Sequence, residues 1–167
     1  MDELRRVTPD EWRDWRHLRL RALADAPSAF GSNLAREQEF TEADWRQRTH
    51  DGVLLYTDGV PVAMGAGFED EPGHMMVVAM WTEPGRRGEG LAGRVLDEVV
   101  SLASSRGLAP HLFVMLANPE ASRLFERHGF VRSGLVEDHG GRDAEELVQG
   151  GGRGARSGAR LETQADP

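Results

Sequence analysis

Apolar and polar residues follow one another in blocks along the chain, and their spacing predicts both strands and helices. Residues 74–82 form an apolar run that is short, contains a valine pair and ends before Pro84, which favours a buried strand. After a loop rich in glycine and arginine, apolar residues recur at helical spacing from Leu91 to Ala103. This spacing predicts an amphipathic helix that ends at Gly107.

The same patterns predict the other elements in chain order. Helices are expected over residues 9–24, 41–49 and 119–128, with N-caps at Thr8, Thr41 and Asn118. The pair Asp58-Gly59 is a strong hairpin signal between two strands. The remaining strands are expected over residues 4–7, 53–57, 61–67, 111–116, 130–136 and 145–148.

The loop between the central strand and the central helix has the features of an anion site. Gly88, Gly90 and Gly93 lack side chains, so a ligand can approach the backbone closely. The first amides of the following helix have no intrahelical acceptor, and the helix dipole adds positive potential. Arg86 and Arg87 add full charges, and together these groups suit a pyrophosphate.

One interpretation of this loop is a dinucleotide site, and another is a turn that merely packs. Residues 88–93 match G-x-G-x-x-G, the fingerprint of nucleotide-dependent oxidoreductases, but a lone match is weak. That fold needs an acidic residue about 20 positions further on, whereas residues 112–116 read LFVML. It also needs more strands than the chain predicts, and the sequence has no G-x-x-x-x-G-K-[ST] phosphate loop.

A different motif fits the same loop better. Residues 87–92, RGEGLA, fit the pattern [QR]-x-x-G-x-[GA], and residues 118–130, NPEASRLFERHGF, resemble N-x-x-A-x-x-L-Y-x-x-x-G-F. In this order, the two blocks resemble the acetyl-CoA-binding segments of the GCN5-related N-acetyltransferase (GNAT) family. The resemblance covers roughly residues 4–148 and is sharpest over residues 77–130.

The resemblance implies an α/β (α+β) fold of the GNAT type, a mixed, mostly antiparallel seven-stranded sheet with helices on both faces. In the family, the strands that end near Thr82 and begin near His111 splay apart, and acetyl-CoA enters the gap. The implied function is an acyltransferase that moves the acetyl group of acetyl-CoA to a primary amine of a small molecule or protein, by direct attack on the thioester. The rival function is a non-catalytic acyl-CoA-binding or sensor module of the same fold.

The resemblance also implies the residues of the donor site. Met80, Trp81 and Thr82 would pair with the pantetheine arm, and the Met80 N–H would stabilise the thioester oxygen as it becomes an oxyanion. Asn118 would reach the cofactor from the other side of the gap, besides capping its own helix. The pyrophosphate would be held by Arg87, Gly88, Glu89, Gly90, Leu91, Ala92 and Gly93.

The general base is open, because the chain departs here from the best-known family pattern. An alkyl ammonium has a pKa near 10.4 in water, so a base helps to generate the reactive amine. Met76 stands where some family members carry a glutamate. His74 lies two residues earlier on the same strand face and titrates in a useful range, with Glu37, Glu39 and Glu83 as alternatives.

The general acid is the second departure. Phe125 stands where many family members have a tyrosine that protonates the departing CoA thiolate. A thiol has a pKa near 8.5 and is already a fair leaving group, so the loss need not stop the reaction. Ser122, one helical turn earlier, or water would supply the proton; otherwise the chain would bind acetyl-CoA with slow or no turnover.

The acceptor site is expected beside the segment that joins the first two predicted helices. In the family this segment borders the acceptor, which makes Phe30, Glu37 and Glu39 candidate substrate-binding residues. A solvated, charged helix start explains the two glutamates equally well. The sequence leaves the acceptor open among aminoglycosides, polyamines, amino acids and protein N-termini.

Composition sets the remaining limits. A length of 167 residues favours one domain, here residues 1–149, followed by a Gly/Arg-rich tail at 150–167 that we expect to be disordered. The chain has no cysteine, which removes Cys-based metal sites and suits the cytoplasm. The net charge of −8 argues against nucleic acid, and no apolar run predicts a membrane span. We expect no metal, and the oligomeric state, a homodimer included, stays open.

Overall fold

The computed structural model describes residues 1–150, which form a single mixed sheet with helices on both faces. The strands are β1 (Asp2–Arg6), β2 (Gly52–Thr57), β3 (Val60–Glu71), β4 (His74–Thr82), β5 (Ala109–Met115), β6 (Phe130–Asp138) and β7 (Asp143–Gln149). Their order across the sheet is β1-β2-β3-β4-β5-β7-β6. Every neighbouring pair is antiparallel except β4 and β5, so the predicted fold class is confirmed.

The helices follow the prediction with one addition. They are α1 (Trp12–Asp25), α2 (Leu34–Gln38), α3 (Glu42–Arg48), α4 (Leu91–Ser105) and α5 (Pro119–Arg127), with 3₁₀ turns at Pro9–Glu11 and Pro84–Arg86. The unpredicted helix is α2, whose N-cap Asn33 accepts a hydrogen bond from the Arg36 N–H at 2.9 Å. Five residues without an apolar stripe give too little periodicity to reveal such a helix.

Two hydrophobic clusters, one on each face of the sheet, form the core. The first joins α4 and α5 to the sheet through residues such as Val95, Val99 and Phe130. The second joins α1 and α3 to the opposite face, and its members include Trp15, Trp45 and Trp81, which are 4%, 1% and 6% exposed.

The parallel strands β4 and β5 are paired only where they begin. Residues 74–76 lie opposite residues 109–111, and β5 then pairs with β7 on its other side. Beyond Met76 the described residues contain no further β4–β5 pair. We call this divergence the fork, and it confirms the predicted splay of the two strands.

Two further predictions concern membrane-spanning helices and the C-terminal tail. None of the helices within residues 1–150 is long and apolar enough to cross a membrane. The tail predicted from residue 150 lies outside the described residues, except for Gly150, whose N–H donates to the Gly129 carbonyl at 2.8 Å.

Candidate active site

A bulge in β4 lies in the open part of the fork, three residues beyond the last β4–β5 pair. Met64 of β3 lies opposite Trp81 and Ala66 lies opposite Val78, so a single β3 residue faces both Ala79 and Met80. Ala79 has a left-handed backbone with φ of 57°, which is strained for a residue other than glycine. Because of the extra residue, Val78 and Ala79 both pack against the α1 side, whereas Met80 packs against the α4 side.

The bulge leaves a stretch of β4 backbone facing the fork. Trp81 and Thr82 pair with β3 on one side, while β5 has already diverged on the other. Ala79 and Met80 have no registered partner in either neighbouring strand among the described residues. An extended ligand could therefore add to this edge as an extra strand. Met80, Trp81 and Thr82, all predicted as donor-site residues, lie together here.

The loop that follows β4 forms a cradle at the start of α4. Gly88 and Gly90 have φ of 83° and 79°, values that side chains rarely adopt. A Cβ built on either residue would meet no atom within 4 Å, so open space lies over both. Gly90 is the N-cap of α4, and Leu91 and Ala92 begin the helix. This open cradle of first-turn amides can hold an anion such as a pyrophosphate. We call the open β4 edge, this loop and the first turn of α4 the donor side, after the role that the sequence analysis predicts for them.

Carboxylates hold both loop arginines. The Arg87 guanidinium donates to Asp25 at 2.6 Å and to the Thr82 carbonyl at 3.1 Å. Asp25 also accepts from the Trp81 indole N–H at 3.0 Å, and these two hydrogen bonds, the indole first, lower the pKa of Asp25. Arg86 forms contacts of 2.7–3.0 Å with Glu89 and lowers the pKa of that carboxyl.

Gly93 lies beside the His128 ring, whereas the sequence analysis predicts a ligand pyrophosphate as its neighbour. A Cβ at Gly93 would lie only 2.5 Å from Nε2 of His128 and 2.6 Å from its Cε1. The imidazole of the residue that ends α5 therefore fills the space beside the first turn of α4. The glycine is explained by this ring, in addition to any ligand that approaches the backbone.

The other arm of the fork carries the residues of the second sequence block. Asn118 follows β5 and caps α5, accepting a hydrogen bond from the Ala121 N–H at 3.2 Å. Ser122 and Phe125 are buried, with exposures of 6% and 7%. The ring of Phe125 packs edge-on against Phe130 with the centroids 6.2 Å apart, so this face of α5 belongs to the core.

On the opposite face of β4, a cavity holds a buried ion pair. Glu37 accepts from Nε and Nη2 of Arg19 at 3.0 and 2.9 Å, and the two side chains are 1% and 4% exposed. The Arg19 guanidinium lies 5.0 Å from the centre of the Phe30 ring. We call this cavity the acceptor side, after the role that the sequence analysis predicts for Phe30 and Glu37. Its volume is about 30 Å³, and its lining includes Trp15, Arg19, Glu37, Trp45, Val78 and Ala79.

The remaining candidates lie elsewhere. Glu39 is exposed at the C-cap of α2 and does not line the cavity, and Glu83 is paired with Arg21. His74 begins β4 at the closed end of the fork, six residues before Met80, or about 20 Å along an extended strand. The structure therefore brings Glu37 and Phe30 close to the bulge but keeps Glu39 and His74 away from it.

Sequence reasoning missed a buried acidic cluster at the closed end of the fork. His111 lies between Asp70, at 2.9 Å from Nε2, and Glu146, at 3.2 Å from Nδ1. All three side chains are 5% exposed or less, and Glu146 also accepts from the Ser133 hydroxyl at 2.7 Å. These residues come from three different strands, so no local pattern in the sequence indicates that they meet.

Comparison with protein families gives one match. The family described as Acetyltransferase (GNAT) family matches residues 6–130, which include the fork, the bulge and the loop. Comparison with curated proteins finds no match to this sequence.

Solved structures share the fold at low sequence identity. A GNAT acetyltransferase from Streptococcus pneumoniae has a TM-score of 0.71 at 15% identity, covering 89% of this chain and 99% of its own. The ribosomal-protein-S18-alanine N-acetyltransferase of Escherichia coli has a TM-score of 0.64 at 16% identity, covering 89% and 93%. The PaiA N-acetyltransferase of Thermoplasma acidophilum, solved with coenzyme A, has a TM-score of 0.66 at 10% identity, covering 89% and 99%.

A forked sheet with a bulged strand and an amide cradle defines an acyltransferase that draws on a CoA thioester. Since the family match spans most of the chain, the protein belongs to the GNAT acetyltransferase family. It is therefore an N-acetyltransferase with acetyl-CoA as its acyl donor. The dinucleotide interpretation of residues 88–93 is wrong, because the sheet is mostly antiparallel rather than doubly wound and parallel.

Proposed function

We propose that this protein transfers the acetyl group of acetyl-CoA to a primary amine of a small molecule or a protein, and that the amine attacks the thioester directly. The observation that carries the proposal is the bulge at Ala79 and Met80, which separates the open β4 edge from the cavity around Arg19 and Glu37. A donor on one side and an acceptor on the other would then meet at the same short stretch of strand. The absence of cysteine is consistent with a cytoplasmic setting.

The donor side would bind the cofactor mainly through backbone groups. The edge at Met80, Trp81 and Thr82 would pair with the pantetheine amides, as an added strand pairs with a sheet. The amides that begin α4, together with the loop from Arg87 to Gly90, would hold the pyrophosphate. The bound cofactor supplies an activated acetyl group, and Asn118 would limit its position from the β5 arm.

The Met80 N–H would act as the oxyanion donor. Attack by the amine moves negative charge onto the thioester oxygen, and a fixed N–H at that point stabilises the charge without reorganisation. The bulge supports this role, because it leaves Met80 without a registered partner in β3 or β5 among the described residues. The strained backbone of Ala79 fixes the direction of the following N–H.

Proton transfers would rely on water in this protein. Glu37 gives both oxygens to Arg19, so we assign it to shaping the cavity rather than to removing the amine proton. His74 and Glu39 lie away from the bulge and receive no part in the proposed step. Water would take the proton from the ammonium and return one to the CoA thiolate, with the Ser122 hydroxyl as the nearest replacement for the missing phenol at Phe125.

One observation favours a second candidate, a module that binds acyl-CoA without catalysis. Phe125 cannot donate a proton, and its ring is largely enclosed by the core. A CoA-binding chain that lacks an acid and a nearby base would bind acyl-CoA without turnover and act as a sensor of the acyl-CoA concentration. Both candidates share the donor side and differ only in turnover.

Release of free CoA over a panel of amines separates the two candidates. The panel should pair each amine with an analogue lacking the amine, so that thioester hydrolysis is counted separately. Amine-dependent CoA release together with the mass of the acetylated product would support the proposal. Tight acetyl-CoA binding by calorimetry with no amine-dependent release from any member would support the binding module instead.

A further inference from the structure

The acceptor side is too small for an acceptor in the conformation of this structure. Its volume of about 30 Å³ is room for one or two water molecules, whereas pockets for small molecules occupy roughly 300–1,000 Å³. An amine that approaches the bulge from this side therefore needs a part of the surrounding wall to move. Trp15 and Trp45 in that wall are buried core residues held by close packing, so the movable part lies elsewhere.

The connector between α1 and α2 lies beside the cavity and contains neither helix nor strand. We call residues 26–32 of this connector the strap. The ring of Phe30 in the strap is partly buried and lies 5.0 Å from the guanidinium of Arg19, which lines the cavity. Within the strap, the Ala29 N–H donates to the Ala26 carbonyl at 3.0 Å and closes a turn. Moving the strap would therefore break no helix and no strand.

A hydrogen bond joins the strap to the other arm of the fork. Arg142 lies in the turn between β6 and β7, which is at the open end, since the nearby Ala144 pairs with Met115, the last residue of β5. Its Nη1 donates to the Ser28 carbonyl at 2.9 Å. The strap follows α1, which packs on the β4 arm, so this hydrogen bond spans the fork.

The two ends of the fork are held in different ways. At the closed end, the side chains of Asp70, His111 and Glu146 are 5% exposed or less, so their contacts are shielded from water. At the open end, Ser28 and Arg142 are both exposed, so water can replace the hydrogen bond between them at small cost. The fork is therefore fixed at its closed end, whereas the contact across its open end can break and form again.

We propose that the strap is a gate over the acceptor side and that Arg142 latches it shut through the Ser28 carbonyl. An acceptor would enter after this hydrogen bond breaks and the Phe30 ring moves away from Arg19. The inference rests on the proposed transfer of acetyl to an amine, and it adds a closed and an open state of the acceptor side. Neither residue of the latch belongs to the donor side, so acetyl-CoA should bind both states alike.

Two substitutions separate the latch from the side chains around it. Arg142→Ala removes the donor, whereas Ser28→Ala keeps the accepting backbone carbonyl and is the matched control. Hydrogen exchange of the backbone amides in residues 26–33 measures opening of the strap and needs no turnover. Amine-dependent release of CoA gives kcat/KM for the amine, and calorimetry gives the affinity for acetyl-CoA.

Loss of the latch should raise the population of the open state by about two- to tenfold, the factor by which one such hydrogen bond shifts an equilibrium. We therefore expect Arg142→Ala to exchange faster in the strap and to gain kcat/KM for the amine by the same factor, with native affinity for acetyl-CoA. Native exchange rates in Arg142→Ala, or faster exchange without a gain in kcat/KM, would overturn the proposal. If no amine releases CoA from any variant, the proposed function fails, and the exchange rates alone decide whether the latch exists.

A covalent latch tests the opposite change. The chain has no cysteine, so the double variant Ser28→Cys with Arg142→Cys has its only two thiols across the fork, where a flexible bismaleimide can join them. The joined protein should lose most of its amine-dependent CoA release and still bind acetyl-CoA, while the unjoined double variant should behave as Arg142→Ala does. A joined protein that turns over as fast as the unjoined one would overturn the proposal.

Discussion

The donor side is built from backbone, whereas the acceptor side is built from side chains. At the donor side, an unpaired strand edge, two glycines in left-handed conformations and the first amides of α4 shape the site. At the acceptor side, a buried Arg19–Glu37 pair lines the cavity together with two buried tryptophans, Trp15 and Trp45. A backbone site accepts any ligand with the right phosphates and amides, while a side-chain site can be changed residue by residue.

This difference separates cofactor binding, which depends on backbone features common to the family, from acceptor choice, which depends on the side chains of this protein. A backbone cradle is encoded by glycines and by the position of a helix start, so a local sequence motif predicts it. The buried ion pair is encoded by two residues 18 positions apart, and its contribution depends on complete pairing. We therefore expect substitutions on the acceptor side to change stability and acceptor choice, and those on the donor side to change cofactor binding.

The largest expected effect comes from breaking the buried ion pair. Glu37→Gln should lower the free energy of unfolding by about 3–5 kcal/mol, because it leaves the Arg19 charge uncompensated in the core. Urea unfolding measures the loss. The double variant Arg19→Met with Glu37→Leu is the control and should recover most of the stability. A single variant as stable as the native protein would show that solvent reaches the pair.

The second effect tests the donor cradle. Gly90→Val should cost about 1–2 kcal/mol of stability, because a branched side chain is placed in a left-handed conformation, and it should also abolish measurable acetyl-CoA binding. Gly90→Asn is the matched control, since asparagine tolerates this conformation better. If strain alone matters, the asparagine variant will bind normally. Normal binding by the valine variant would contradict the assignment of this loop to the cofactor.

A smaller effect concerns the missing acid. Phe125→Tyr should raise kcat by about tenfold or less if departure of the thiolate limits turnover, since a thiolate needs limited help. The ring lies in the core, so the added hydroxyl should cost about 1–3 kcal/mol of stability unless it reaches the fork or another partner. Steady-state kinetics with a saturating amine gives the answer. An unchanged or lower kcat in a folded variant would point to water or Ser122 as the proton source.

The smallest effect concerns Asp25, which joins α1 to the donor side. Asp25 ends α1 and accepts from both Trp81 and Arg87, so Asp25→Asn should cost about 1 kcal/mol or less at neutral pH. The pKa of Asp25 is lowered in the folded protein, so its contribution is complete above its unfolded pKa and fades as the pH falls through the folded value. Unfolding curves of both proteins at pH 7 and in acid should converge as the pH drops. A difference that grows in acid would contradict this sign.

The parts of the fold that the sequence predicts best are those with long periodic patterns or strong local signals. Helix α4 has an apolar stripe along its length, and β4 has a continuous apolar run, so both were located closely. The cap at Asn118 and the hairpin at Asp58-Gly59 also have purely local causes. Helix α2 was missed because a single cap on five residues carries little signal.

The candidate site also contains features with a local sequence signal and features that depend on long-range contacts. The loop of Gly88 and Gly90 is local, and its motif pointed to the cradle that the structure contains. Asp25 was missed because its contact with Trp81 spans 56 positions, and His128 because its contact with Asp97 spans 31. No periodicity relates residues that far apart, since only the folded sheet and helices bring them together.

The fork also places an unpaired strand edge inside the sheet, whereas an ordinary sheet has unpaired edges only at its two outer strands. From residue 77 to residue 82, the β4 edge that faces β5 has no strand beside it among residues 1–150. Unpaired edges are templates for foreign strands, and proteins usually protect them. In the ligand-free protein an extended peptide, or the same segment of another molecule, is a natural competitor for that edge. We therefore expect bound CoA to reduce self-association through this edge. The protein should then aggregate less during concentration and storage with CoA than without it.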